Sequence, residues 1–132
     1  MARSWPSPPS RRSRVAAAEL GERAERAAER YLERRGLRTL ARNYRTRAGE
    51  IDLVMLDGDE IAFVEVRYRS RDTFGTGSDT VDHRKQHRLV LAARHFLSHR
   101  HSNNLPCRFD VVSVAKTNYR LRFEWIRNAF VP

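Results

Sequence analysis

The chain has 132 residues, 40% of them hydrophobic, and a formal net charge of +10, which supplies one compact core and too little length for two ordinary domains. Cys107 is the lone cysteine, so an intramolecular disulfide and a cysteine-built metal cage are excluded. No apolar run reaches the length of a membrane span, and Met1–Ser10 lacks the apolar stretch of a secretory signal, which makes the reducing cytoplasm the expected compartment.

Residues 1–14 are rich in Pro, Ser and Arg and contain no acid, a composition that reads as a disordered basic tail. A single α/β domain is expected over 15–132. From Val15 to about Gly36, the residues Leu20, Ala24, Ala27, Ala28, Tyr31 and Leu32 recur at helical spacing, and Gly36 supplies a stop. Leu37 to Arg47, Glu50 to Leu56 and Glu60 to Tyr68 read as strands, the last two joined by Asp57-Gly58-Asp59. A polar, glycine-containing loop over Arg69–Ser78 precedes a second helix from about Thr80 to Arg100, with Val81, Leu89, Ala92, Ala93, Phe96 and Leu97 on one face. Phe109 to Ala115 is nearly continuously apolar, as in a strand covered on both faces, and the helix-length crossover before it favours parallel pairing with Glu60–Tyr68. A last strand around Leu121–Ile126 gives the order αβββαββ and a mixed sheet with flanking helices.

Of the 26 basic residues, 24 are Arg, and removing the four arginines of residues 1–14 still leaves +6 on the rest. The cationic field points to a polyanion, nucleic acid above all, as partner; neither helix has the basic and broadly apolar faces of a membrane-surface helix. The candidate site residues are the charged groups that alternation or helical period places on faces that bury, because such groups need a partner or a metal. Glu65 and Arg67 share a face with Ile61 and Phe63, and Glu50, Asp52 and Val54 share one on the preceding strand, so a hairpin in register brings Asp52 to Glu65 and Arg67. Glu25 lies at the edge of the first helix's apolar stripe, with Glu22, Glu29 and Glu33 farther round; Lys85 and Gln86 lie in the apolar sector of the second. Of the five His residues only His95 falls near an apolar face, and none has zinc-motif spacing. Ion pairing with Arg42, Arg45, Arg47 or Arg67 is the structural alternative for each acid.

The linked segments Gly49-Glu50-Ile51-Asp52-Leu53-Val54, Phe63-Val64-Glu65-Val66-Arg67-Tyr68-Arg69, Arg84-Lys85-Gln86 and Arg108-Phe109-Asp110-Val111-Val112 resemble the YraN family of bacterial proteins over roughly residues 19–130. That family is similar to archaeal Holliday junction resolvases and the PD-(D/E)xK nucleases. The resemblance implies a restriction-endonuclease-like core and a Mg²⁺ or Mn²⁺ site of Glu25, Asp52 and Glu65. It further implies endonuclease-like action on structured or branched DNA, and a homodimer. Val66 takes the place of the variable spacer. Arg67 stands where those nucleases carry Lys, so it can stabilise phosphate charge but cannot accept a proton. Lys85 is the candidate for the missing ammonium, and Gln86 for holding a water or a carboxylate. A non-catalytic nucleic-acid-binding module on the same fold is the competing expectation, and a domain docking on an acidic protein is a third.

Overall fold

The computed structural model describes residues 5–69, 81–100 and 104–132; the expected loop residues Arg71, Phe74, Gly75 and Gly77 and the first residues of the basic tail lie outside them. The elements are α1 (Arg11–Glu33), β1 (Arg38–Arg45), β2 (Glu50–Asp57), β3 (Glu60–Arg69), α2 (His83–His99), β4 (Cys107–Thr117) and β5 (Arg120–Phe130). The strands form one mixed sheet in spatial order β1-β2-β3-β4-β5. Only the β3–β4 pair is parallel, Phe63 opposite Phe109 and Arg67 opposite Ser113, and α2 lies in the crossover between them. Among the described residues no helix is long and apolar enough to cross a membrane.

Helix α1 starts four residues before the expected Val15. Ser10, extended at φ −65° and ψ 161°, accepts the Ser13 N–H, and the cap together with Ala16–Ala18 extends a helix whose first two turns bury nothing. Its end is set by Gly36 at φ 93°. The Leu37 N–H reaches back to the Leu32 carbonyl at 3.2 Å and the Gly36 N–H to Glu33 at 3.0 Å, closing a Schellman turn that only glycine enters without strain. Asp82 caps α2 by accepting the Lys85 N–H at 2.8 Å, so that helix begins at His83.

Each face of the sheet has its own core. Ala24, Ala28 and Leu32 of α1 pack on Leu53, Met55, Ala62, Val64, Val112 and Val114. On the other face Leu89, Ala92, Ala93 and Phe96 of α2 pack on Ile51, Val54, Ile61, Phe63, Phe109 and Val111. Strand β3 is therefore buried at five consecutive residues, Ile61–Glu65, and every fully buried Leu, Ile, Val or Phe in these clusters contributes roughly 1.5–3 kcal/mol relative to exposure.

Two polar clusters brace the fold, one between α1 and β1 and one among the strands β2–β5. Glu29, placed well round from the apolar stripe by helical projection, is instead buried: its carboxylate accepts the Thr39 hydroxyl at 2.5 Å and the Arg42 Nε at 2.8 Å. Burial raises its pKa, but Arg42 and Thr39 outweigh that and leave it lowered. At the hairpin end of the sheet, Arg108 donates to Glu60 at 2.6 Å, to Asp57 at 2.9 Å and to Asp110 at 3.0 Å. Asp110 also accepts the Trp125 indole N–H and the Asn128 N–H, both at 3.0 Å. The Arg108-Phe109-Asp110 segment is thus a structural clamp: Arg108 and Asp110 stand opposite Ala62 and Val64, on the α1 face of the sheet.

Candidate functional site

The site forms where β2 and β3 separate. Their ladder runs from Asp57 opposite Glu60 to Leu53 opposite Val64 and then stops; one more step of the same register sets Asp52 opposite Glu65. Instead of pairing through its backbone, Asp52 fills the widening gap with its side chain, and Oδ2 accepts the Val66 N–H at 2.8 Å. The β2 alternation breaks at this point, since Ile51 and Val54 both belong to the α2-side core while Leu53 and Met55 face α1. On β1 the neighbouring Asn43 takes a left-handed φ of 48°.

Above the gap, the N-terminal part of α2 lies against the start of β2. A β-carbon built on Gly49 would sit 2.0 Å from the Arg88 carbonyl oxygen, so glycine there permits the close approach that shapes the cleft. The resulting cleft of about 230 Å³ is lined by Glu50, Asp52, Glu65, Val66, Lys85, Arg88 and Leu89. Lys85 spans its rim: the Nζ lies 2.7 Å from Oε1 of Glu65, with the lysine side chain half-exposed and the carboxylate 8% exposed. On its other side Lys85 borders a second depression, of about 370 Å³, lined by Val66, Arg67, Tyr68 and Arg69.

The electrostatics are those of carboxyls with too little positive charge. Burial first, then the Glu65 and Glu25 carboxylates, drive the Asp52 pKa up to about 8, against the opposing effects of the Val66 N–H and of Lys85. Glu25 approaches from the α1 side; burial raises its pKa, partly offset by the neighbouring Asn43 and Asp52 side chains. Glu25 lines a depression on the α1 face with Glu29 and Arg42 rather than the α2-side cleft.

Of the residues singled out in the sequence, Asp52, Glu65 and Lys85 come together, Glu25 meets Asp52 from behind, and Arg67 borders the adjoining depression. Gln86 does not join them: its amide Nε2 donates to the Val81 carbonyl at 2.7 Å, closing the turn before α2. The cleft adds Glu50 and Arg88, which the sequence reading did not assign to the site; Glu50 was legible from its shared alternation with Asp52, whereas Arg88 has no signal beyond its place next to Leu89. His95 meets the Tyr44 hydroxyl through Nδ1.

Whether these residues suit a hard divalent cation turns on their donors. The cleft's candidate donors are carboxylate oxygens, and a cation between them would take the place of the proton that burial and the neighbouring carboxylates keep on Asp52 up to about pH 8. Among the described residues no three His, Cys, Asp or Glu side chains are grouped so as to hold a metal ion. Asp52 and Glu65 are the carboxylate pair that faces the cleft, and their oxygens suit Mg²⁺ as an ion that keeps waters or phosphate on its remaining positions.

Residues 24–114, which include every one of these side chains, match the model of the uncharacterised protein family UPF0102. A UPF0102 protein of Pseudomonas putida strain KT2440 is 52% identical over 112 residues, 83% of this chain and 90% of that protein. A UPF0102 protein of Nitrosococcus oceani is 46% identical over 111 residues, again 83% of this chain and 90% of the relative. The chain belongs to the UPF0102 family, the YraN family that its sequence motifs resemble.

Proposed function

We propose that the cleft is a Mg²⁺- or Mn²⁺-dependent phosphodiesterase site acting on nucleic acid, structured or branched DNA in particular, with Asp52 and Glu65 as the metal-binding pair. The observation that carries this reading is the meeting of two crowded carboxyls, Asp52 pushed up to about 8 and Glu65 at 2.7 Å from Lys85, in a cleft that adjoins an arginine-bearing depression. The net charge of +10 and the resemblance of the motifs to junction resolvases and PD-(D/E)xK nucleases support it, and that resemblance also suggests a homodimer with two sites.

A divalent cation, when bound, supplies the charge that neutralises the scissile phosphate and lowers the pKa of an attacking water. The chain's own groups do the rest. Asp52, fixed by the Val66 N–H, and Glu65 present oxygens at a set spacing. Glu25, behind Asp52, helps to hold the proton that the pair retains when no cation is present. Arg67 grips phosphate oxygens with a planar fork and stabilises charge in the transition state; a guanidinium, with a pKa above ~12, is no base. Lys85 contributes the remaining ammonium.

Incubation with single-stranded, duplex, flap and four-way-junction DNA, with and without Mg²⁺ or Mn²⁺, tests the reading. Cleavage should need the metal and should vanish in Asp52→Asn and Glu65→Gln, both of which should still bind DNA. The second reading is a non-catalytic nucleic-acid-binding module, favoured by Arg67 in the lysine position and by the Lys85–Glu65 ion pair; metal-independent binding without cleavage of any substrate would select it.

A further inference from the structure

We infer that Lys85 is an exchangeable internal cation: its ammonium neutralises Glu65 while the cleft is free of metal, and a divalent ion on Glu65 would displace it toward the arginine-bearing depression, where it binds phosphate. This rests on the metal-site reading given above and adds a coupling between metal and polyanion that the reading does not contain.

Three observations carry it. The Lys85 ammonium is 2.7 Å from a carboxylate that is 8% exposed, so in this state its charge is committed to Glu65. The lysine stem is half-exposed, which leaves the side chain free to swing without unpacking α2, since the core face of that helix is carried by Leu89, Ala92, Ala93 and Phe96. And among the described residues Lys85 is the one side chain other than Val66 that borders both the acid cleft and the neighbouring depression with Arg67 and Arg69. A lysine carries a point charge on a flexible four-carbon stem, so the distance between the two depressions is within reach of a rotamer change.

Two positive charges held on one carboxylate repel each other, so metal binding weakens the ion pair, and the released ammonium then adds to the field that attracts phosphate. Thermodynamic reciprocity follows: polyanion that draws Lys85 away from Glu65 tightens metal binding by the same factor by which metal tightens polyanion binding. Direct contact between metal and phosphate would also couple the two ligands, but that part does not pass through Lys85.

The test uses the full chain, Mn²⁺ binding followed by electron paramagnetic resonance, and a short phosphorothioate oligothymidylate as the polyanion, with Lys85→Met, Arg88→Met and Glu65→Gln. Lys85→Met should bind Mn²⁺ alone about five-fold or more tighter than wild type, and the mutual enhancement between Mn²⁺ and oligothymidylate should shrink by a like factor. Its affinity for oligothymidylate should fall less without Mn²⁺ than with it, because without the metal Lys85 is held by Glu65. Arg88→Met, which removes a charge from the same cleft without an ion pair to Glu65, should tighten Mn²⁺ less and preserve the enhancement. Equal Mn²⁺ affinities for the two variants, or a loss of oligothymidylate affinity in Lys85→Met that is the same with and without Mn²⁺, overturns the exchange while leaving the metal site standing. Mn²⁺ binding that is absent from wild type, or indifferent to Glu65→Gln, overturns the metal-site reading itself and the exchange with it.

Discussion

Gly49 and the Arg88 carbonyl define how closely α2 approaches the start of β2: an added β-carbon would fall 2.0 Å from that oxygen and 2.7 Å from its carbon. Both are backbone atoms of a helix, so neither can rotate away. Gly49→Ala should therefore shift α2, widen the cleft over Asp52 and Glu65, and cost about 1–3 kcal/mol as an overpacking substitution. Gly21 in α1 has open space around it, and Gly21→Ala should instead stabilise by up to ~1 kcal/mol through helix propensity. Urea denaturation of the two variants checks the contrast, and a destabilisation by Gly49→Ala no larger than that of a surface change would contradict it.

Alternation and helical period reveal residues that lie on regular elements, and they reveal less where an element is irregular. Glu65 was legible because β3 is regular: Ile61, Phe63 and Glu65 point to the α2 side as period two requires. Asp52 was legible as Glu65's partner, but not the manner of their meeting, because β2 leaves its ladder at Leu53 and Asp52 takes up a backbone N–H that a strand neighbour would otherwise hold. The structural role of Arg108 and Asp110 was hidden inside an apolar run, since a strand buried on both faces shows no alternation by which to notice an inward ion pair. Glu29 was hidden because its partners, Thr39 and Arg42, come from β1, whose approach no helical projection contains. Gln86 shows the opposite error: helical period gave it an inward side but not the nearby Val81 carbonyl that engages it.

Asp52 should make stability depend on pH in an unusual direction. Its carboxyl is raised from 3.8 to about 8 by burial and by Glu65 and Glu25, so the folded state keeps a proton that the unfolded chain releases. The stability it contributes is complete below 3.8 and is lost as the pH climbs to about 8. Asp52→Asn, which can still accept the Val66 N–H through its amide oxygen, should remove that loss. The difference in unfolding free energy between variant and wild type should grow in the variant's favour across this window, by an amount on the order of a few kcal/mol. Taking the difference cancels the opposite contribution of Glu29, whose lowered pKa stabilises the fold above the usual carboxylate range. A flat difference across the window would show that Asp52 titrates as an ordinary aspartate.

Arg108 should matter to stability and not to binding. It is 7% exposed and faces three carboxylates. Arg108→Met leaves Asp110, itself fully buried, without its cation, and the expected cost is about 3–5 kcal/mol. The Trp125 indole, hydrogen-bonded to Asp110, makes the loss visible as a change in tryptophan emission. Affinity for nucleic acid, measured at a temperature where the variant remains folded, should match wild type, since Arg108 and Asp110 stand on the α1 face with Ala62 and Val64 whereas the cleft opens beside α2. A weakened affinity with intact folding would move Arg108 from the scaffold into the binding surface.

Arg67 separates a phosphate clamp from a participant in proton transfer. If its contribution is charge alone, phosphate binding should fall with salt at a slope of about −0.9 per phosphate neutralised, and Arg67→Ala should reduce that slope by about one contact. Arg67→Lys keeps the charge, so slope and affinity should stay close to wild type, although the bidentate fork is lost. Catalysis then distinguishes the two readings of the cleft. A lysine at this position, beside the crowded carboxyls, has a pKa that its surroundings can move, whereas a guanidinium does not. Under the phosphodiesterase reading, cleavage by Arg67→Lys should hold or rise, and its pH profile should gain a limb that wild type lacks, while Arg67→Ala loses cleavage. Under the binding-module reading all three proteins bind in proportion to their charge and none cuts, with or without Mn²⁺. Cleavage by Arg67→Ala at the wild-type rate would exclude Arg67 from the chemistry altogether and leave Lys85 and Arg88 as the cations lining the cleft to examine by substitution.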